Sequence, residues 1–124
     1  MDFRKLREDV VVTLNAIGIS LADIHLDKDA NPRNFPCAIV SLASSKGDLM
    51  TSFRYVKHKA VVRVFLVIDG KSEDPDADIY KLSMLFRDAY LSKFRRDVDE
   101  IDYYPSRADA SRKVMIAKFD VKSI

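Results

Sequence analysis

Histidine, cysteine and clustered carboxylates are the side chains through which a chain of this size could do chemistry, and here they are few and scattered. His25 and His58 are the only two histidines. Neither has the Ser, Asp or Cys neighbours from which a nucleophile and its base could be argued, so both read as surface or loop residues. The single cysteine, Cys37, cannot close an internal disulfide and has no metal-ligand neighbour at a useful spacing. Between apolar neighbours it reads as a small buried hydrophobe, kept reduced inside a cell. Asp69, Glu73, Asp74, Asp76 and Asp78 form the one acidic cluster, and carboxylates at a strand end can hold a divalent ion for phosphodiester chemistry. Capping is the simpler account. Asp74 precedes Pro75 at a helix start, where the dipole favours acidic residues, and no strand carrying Glu-x-Lys follows. The three glycines, Gly18, Gly47 and Gly70, stand singly, which excludes a phosphate-cradling loop. No catalytic residue, metal ligand or cofactor is expected.

The remaining constellation is a basic one. Lys46, Arg54, Lys57, Lys59 and Arg63 are interleaved with Phe53 and Tyr55, a pattern that in a more basic protein would mark a nucleic-acid surface. The whole chain carries 21 basic against 19 acidic residues, a formal net charge of +2. It therefore lacks the basic excess of most phosphate binders. Docking to a protein is the first reading of this segment; a solvated arm and a nucleic-acid surface are the alternatives. Tyr103 and Tyr104 are a further aromatic pair whose amphipathic rings suit an interface; strand alternation sends only one to the core, and simple surface packing of the other is the equal alternative.

The elements that must position these residues follow from periodicity. Phe3, Leu6, Val10, Leu14 and Ile17 recur at spacings of three and four, with Asp2 before them as a cap and Gly18 after them, which predicts a first helix. Ile24 and Leu26 alternate with His25 and Asp27 as a short strand before the turn-rich stretch 29–34. Cys37 to Leu42 and Lys59 to Ile68 read as two strands. Between them, about Ala43 to His58 forms the polar tip of an arm too long for a plain loop and carrying Leu49, Met50, Phe53 and Tyr55. Val64 to Ile68 is apolar on both faces, as in a central strand covered by helices on one side and a partner on the other. Asp74 caps a second helix running to about Lys93, with Ile79, Leu82, Leu85, Phe86, Ala89, Tyr90 and Phe94 along one face. Glu100 to Tyr104 and Lys113 to Val121 close the chain as a hairpin around the polar turn 105–111.

The order predicts an α+β domain: a mainly antiparallel sheet of four to five strands, two helices packed on one face, and a long hairpin arm. At 124 residues and 48% hydrophobic content it is one domain, residues 1–124. The opening Met1-Asp2-Phe3-Arg4-Lys5-Leu6 shows no signal-peptide pattern, and no run approaches 18 apolar residues, so a soluble protein that works where it is made is expected, with no membrane partner. Charge is divided by region: 69–78 holds five acids against Lys71, and 46–59 holds four basic residues against Asp48. Opposite charge on two patches suits a head-to-tail contact between copies. The expected ring contact therefore joins Lys46, Arg54, Lys57 and Lys59 to Asp69, Glu73, Asp74, Asp76 and Asp78.

Along nearly its whole length the chain resembles the tail terminator, or tail completion, family of long-tailed bacteriophages. The resemblance rests on Leu6 to Leu14, the lead-in Phe35-Pro36-Cys37-Ala38-Ile39-Val40, the strand Ala60 to Val67, Asp74-Pro75-Asp76-Ala77-Asp78 and the closing strand Val114 to Val121. It implies a non-enzymatic virion protein, assembled in the host cytoplasm and then resident in the tail. Such a protein forms a hexameric ring at the head-proximal end of the tail tube, stops tube growth and offers a surface to the head. Its partners would be itself, the tube protein and a neck connector, with no sequence-specific nucleic acid. In this reading Leu49, Met50, Phe53 and Tyr55 dock on the tube. The alternatives are another head–tail neck protein, or a small nucleic-acid-binding or processing protein.

Overall fold

In a computed structural model, residues 3–26, 34–49, 56–107 and 112–122 are described, those at 44–49 and 56–59 as backbone only. Helix α1, Phe3–Ala16, places Leu6, Val10 and Leu14 in the core. It ends at Gly18, whose φ of +102° suits a residue without Cβ, and the Ile19 N–H then reaches back 3.1 Å to the Leu14 carbonyl. A two-residue strand, β1 (Ile24–His25), follows a single 3-10 turn. Next come β2 (Cys37–Leu49), β3 (Val56–Asp69), helix α2 (Pro75–Phe94), β4 (Asp102–Arg107) and β5 (Lys113–Lys122).

The strands form one sheet in the order β1-β2-β3-β5-β4, antiparallel except for the β1–β2 pair. The fold is thus the α+β arrangement expected from the element order. Both helices cover one face, α1 over β2 and β3, α2 over β3 and β5. Val62, Val64, Leu66 and Ile68 point from β3 into that layer, joined by Ala38 and Val40 from β2 and by Ala117, Phe119 and Val121 from β5. Phe86 sits at its centre, 5.0 Å from Phe119 and 5.7 Å from Tyr90 between ring centroids. Each large side chain buried here stabilises the fold by roughly 1.5–3 kcal/mol. Among the described residues, no helix is long and apolar enough to cross a membrane.

Several boundaries differ from the periodicity reading. β2 runs on to Leu49 and β3 begins at Val56, so much of what reads as a polar loop tip is a paired ladder, from Ser44↔Val61 to Leu49↔Val56, beyond a bulge at Leu42/Ser44. The tip itself, 50–55, lies outside the described residues, as does the Asp2 cap. β4 continues through Pro105 to Arg107 where a turn is expected; proline is tolerated because β4 is an edge strand. Leu85 is exposed, and the buried positions of α2 are Ile79, Ser83, Phe86 and Tyr90. Leu26 lies beyond β1 and is exposed. Leu85 and Leu26 share one cause: periodicity shows an apolar stripe, but not where a neighbouring element stops covering it.

Asp9 and the Tyr90 hydroxyl are among the polar groups buried in the helix layer. Asp9, 4% exposed, receives Lys5 at 3.3 Å and Arg96 at 3.5 Å, which ties α1 to the segment after α2. The Tyr90 hydroxyl, by contrast, is buried without a hydrogen-bond partner, and burial pushes its phenol up, against the pull of Arg96. Asp9→Ala removes the buried carboxylate that Lys5 and Arg96 both approach, and should lower unfolding free energy by about 3 kcal/mol. Tyr90→Phe deletes an unsatisfied hydroxyl and should be neutral or stabilising by up to about 1 kcal/mol. Urea denaturation of the two variants checks both outcomes.

Candidate functional site

The acidic cluster is occupied with local structure. The Asp74 carboxylate accepts from the Ala77 N–H at 3.1 Å, capping α2 with Pro75 at its first turn. Asp69 accepts from the Lys71 N–H at 3.0 Å, and Asp78 from the Ser72 hydroxyl at 2.6 Å. Glu73 and Asp76 are exposed beside them. Among the described residues, no three His, Cys, Asp or Glu side chains stand close enough to share a metal ion. His25 lies on β1 at a sheet edge, and His58 lies in β3 opposite Gly47.

The basic set is distributed along the β2–β3 ladder. Lys46 is opposite Lys59 and Asp48 opposite Lys57, while Arg54, with Met50, Phe53 and Tyr55, lies outside the described residues. Leu49 closes the described ladder against Val56. Among the described residues β5 pairs with β3 as far as Val61↔Lys122 and β1 with β2 only at Ala38 and Ile39, so the five pairs from Ser45↔Ala60 to Leu49↔Val56 stand as a two-stranded ribbon about 17 Å long at roughly 3.3 Å per residue. A ribbon of two strands is marginal in water without something to pack on. Lys59 and Asp69 are at opposite ends of β3, about 33 Å apart by the same rise. Within one chain, therefore, the basic ribbon and the acidic turn are not brought together.

On the sheet face away from the helices, Cys37, Val67 and Val114 are buried beneath Phe35, Phe65 and Ile116, and the Arg112 guanidinium lies 5.1 Å from the Phe35 ring. Arg63 and Asp120 pair across the strands, Nε to Oδ1 at 3.0 Å and Nη2 to Oδ2 at 3.4 Å, which raises the Arg63 pKa. Burial raises the Tyr104 phenol beside them.

At the lateral edges, sequence reasoning singled out Tyr103 but missed its partners and the apolar surface on the far side. Tyr103 faces α2, its hydroxyl 2.7 Å from the Ser83 hydroxyl and its ring 6.3 Å from that of Tyr80. With Met84, Val98 and Ile101 these rings line a groove of about 370 Å³ at the β4 edge. Nearby, Arg87 holds Asp97 through paired bonds of 2.8 and 2.7 Å, which keeps that carboxyl below the usual range. The run Asp97-Val98-Asp99-Glu100-Ile101-Asp102 was the available signal: four acids in six residues. At the opposite edge Leu26, Val11 and Val12 share a shallow apolar depression. No protein-family model matches the chain, and no curated protein matches it either.

Cys37 is fully buried, and its thiol is pushed from 9.0 to about 12, by burial first and then by the Asp23 charge. The neutral thiol is thus favoured in the fold, a contribution present below pH 9 and lost progressively between pH 9 and about 12. Under native conditions at pH 8, a bulky thiol reagent should label Cys37 only at the rate of unfolding. Labelling as fast as that of a free thiol would show that the β2 site is open.

Proposed function

We propose that this chain is a tail terminator of a long-tailed bacteriophage: a ring-forming structural protein, without cofactor or catalytic site, that caps the head-proximal end of the tail tube and offers a joining surface to the neck. The observation that carries the reading is the ribbon of β2 and β3 extending past the rest of the sheet. Among the described residues nothing pairs with either edge of this ribbon, and two strands have little core of their own, so docking would stabilise it. Its sequence supplies Leu49, Met50, Phe53 and Tyr55 for contact with the tube and Lys46, Arg54, Lys57 and Lys59 for contact with acidic surfaces.

A terminator must also differ on its two ends. A tube of identical stacked rings grows while each ring offers the next the same surface, so the capping ring has to match the tube on one side only. In this chain the basic ribbon leaves one end of β3 and the Asp69–Asp78 turn and helix cap sit at the other. That polarity supports the reading, and it fits another neck connector equally well.

Purified protein added to polymerising tube protein should arrest growth, and tails assembled without it should be overlong or unable to join heads. Phe53→Asp should retain the thermal transition of the unmodified chain and lose the arrest. Normal-length tails that join heads in its absence would remove the terminator assignment, and stoichiometric binding to a neck ring without effect on the tube would transfer it to the neck.

A further inference from the structure

The run 97–102 gathers four acids and no base in a chain whose formal charge is +2. Two of the four are already balanced. Asp97 is held by the paired bonds of Arg87, and Asp99 by Lys122 at 3.1 Å. Asp102 alternates with Tyr103 to the sheet face away from the helices, opposite Lys118. Glu100 is left. It is exposed, it lines the groove between α2 and the β4 edge, and among the described residues no cation stands within ion-pair distance of it.

The two tyrosine rings of that groove are held in place. Ser83, fully buried on α2, donates its hydroxyl proton to the Tyr80 carbonyl at 2.8 Å, so across the 2.7 Å contact the Tyr103 hydroxyl donates to Ser83. This chain of two bonds ties Tyr103 to the helix turn that carries Tyr80, and the rings stand 6.3 Å apart between centroids, tilted by 43°. Both stay open to a partner, Tyr80 57% and Tyr103 37% exposed. Met84, Val98 and Ile101 complete an apolar lining. Ordered tyrosine faces, an apolar lining and one unbalanced carboxylate match the parts of an arginine side chain. Its methylenes cover the lining, its guanidinium lies on a ring face, and its N–H groups reach the carboxylate. Arg87, which also lines the groove, does not oppose this, because Asp97 balances its charge. A further strand is a poorer occupant of this edge, since Pro105 in β4 has no N–H to offer it.

We propose that the groove between α2 and the β4 edge is a docking site for an arginine-bearing segment of a partner protein, the guanidinium held by Tyr80, Tyr103 and Glu100. At about 370 Å³ the groove has room for more than one side chain, so residues flanking the arginine fill what it leaves. Because the rings are already fixed, the partner rather than the groove gives up freedom on binding. The contact goes beyond the terminator reading and does not rest on it; arrest of tube growth is no readout of it.

The Met84 methyl group, labelled with carbon-13, reports on the groove by NMR. The probe is the peptide Gly-Ala-Arg-Leu-Arg-Ala-Gly with both ends blocked. It should shift the Met84 resonance saturably, and the same peptide with citrulline, the neutral isostere, in place of arginine should bind about tenfold more weakly or less. Tyr80→Ala and Glu100→Gln, both at exposed positions, should each weaken binding roughly threefold or more with an unchanged thermal transition. Glu73→Gln makes the same charge change in the turn before α2 and should leave binding as in the unmodified chain. No saturable shift, equal binding of the citrulline peptide, or equal losses from Glu73→Gln and Glu100→Gln would overturn the proposal. Arginine amide alone binding as tightly as the peptide would also overturn it, since the groove would then be a site for a free cation and not for a protein segment.

Discussion

Burial of the helix-facing side of β3 is the constraint on which the rest of the structure depends. Val62, Val64 and Leu66 are fully buried, and both helices and both neighbouring strands touch this one strand. A one-residue slip of β3 would turn Arg63 and Phe65 into the helix layer and expose the valines. Its register therefore fixes everything paired to it, including the heights of the two sheet edges and the direction in which the ribbon leaves the domain.

From that register comes a division of labour across the surface. The strand ends are polar, the ribbon basic and the turn before α2 acidic, with Asp69, Asp74 and Asp78 spent on turn and cap hydrogen bonds. The lateral edges hold the exposed apolar groups. In the ring proposed above, a body with unlike ends would give two unlike rims. The internal polar tie from Asp9 to Arg96 serves a separate purpose, holding α1 to the chain that leads into β4.

Much of this was legible in the sequence, for identifiable reasons. The 3.6-residue stripe of α1, the Asp74-Pro75 start of α2 and the unbroken apolar run of β3 are local signals, and each element is where its signal placed it. The polar stretches 43–49 and 56–58 gave no such signal because a ladder needs only backbone groups, and side-chain polarity says nothing about pairing. Leu85 fits the α2 stripe, yet no element lies over it. Which residues meet at the edges was not legible for a related reason: Tyr80 and Tyr103 are 23 positions apart and Val12 and Leu26 are 14, and only the fold decides which such residues become neighbours.

A chain that caps a tube as proposed must close on copies of itself into a ring. Negative-stain electron microscopy of the purified, unmodified chain, alongside its mass in solution, measures this. Discrete rings of one size are expected, with a mass that is an integral multiple of the 14.2 kDa chain and unchanged on further concentration. A monomer at every concentration, a twofold dimer, or open filaments that lengthen with concentration would contradict it.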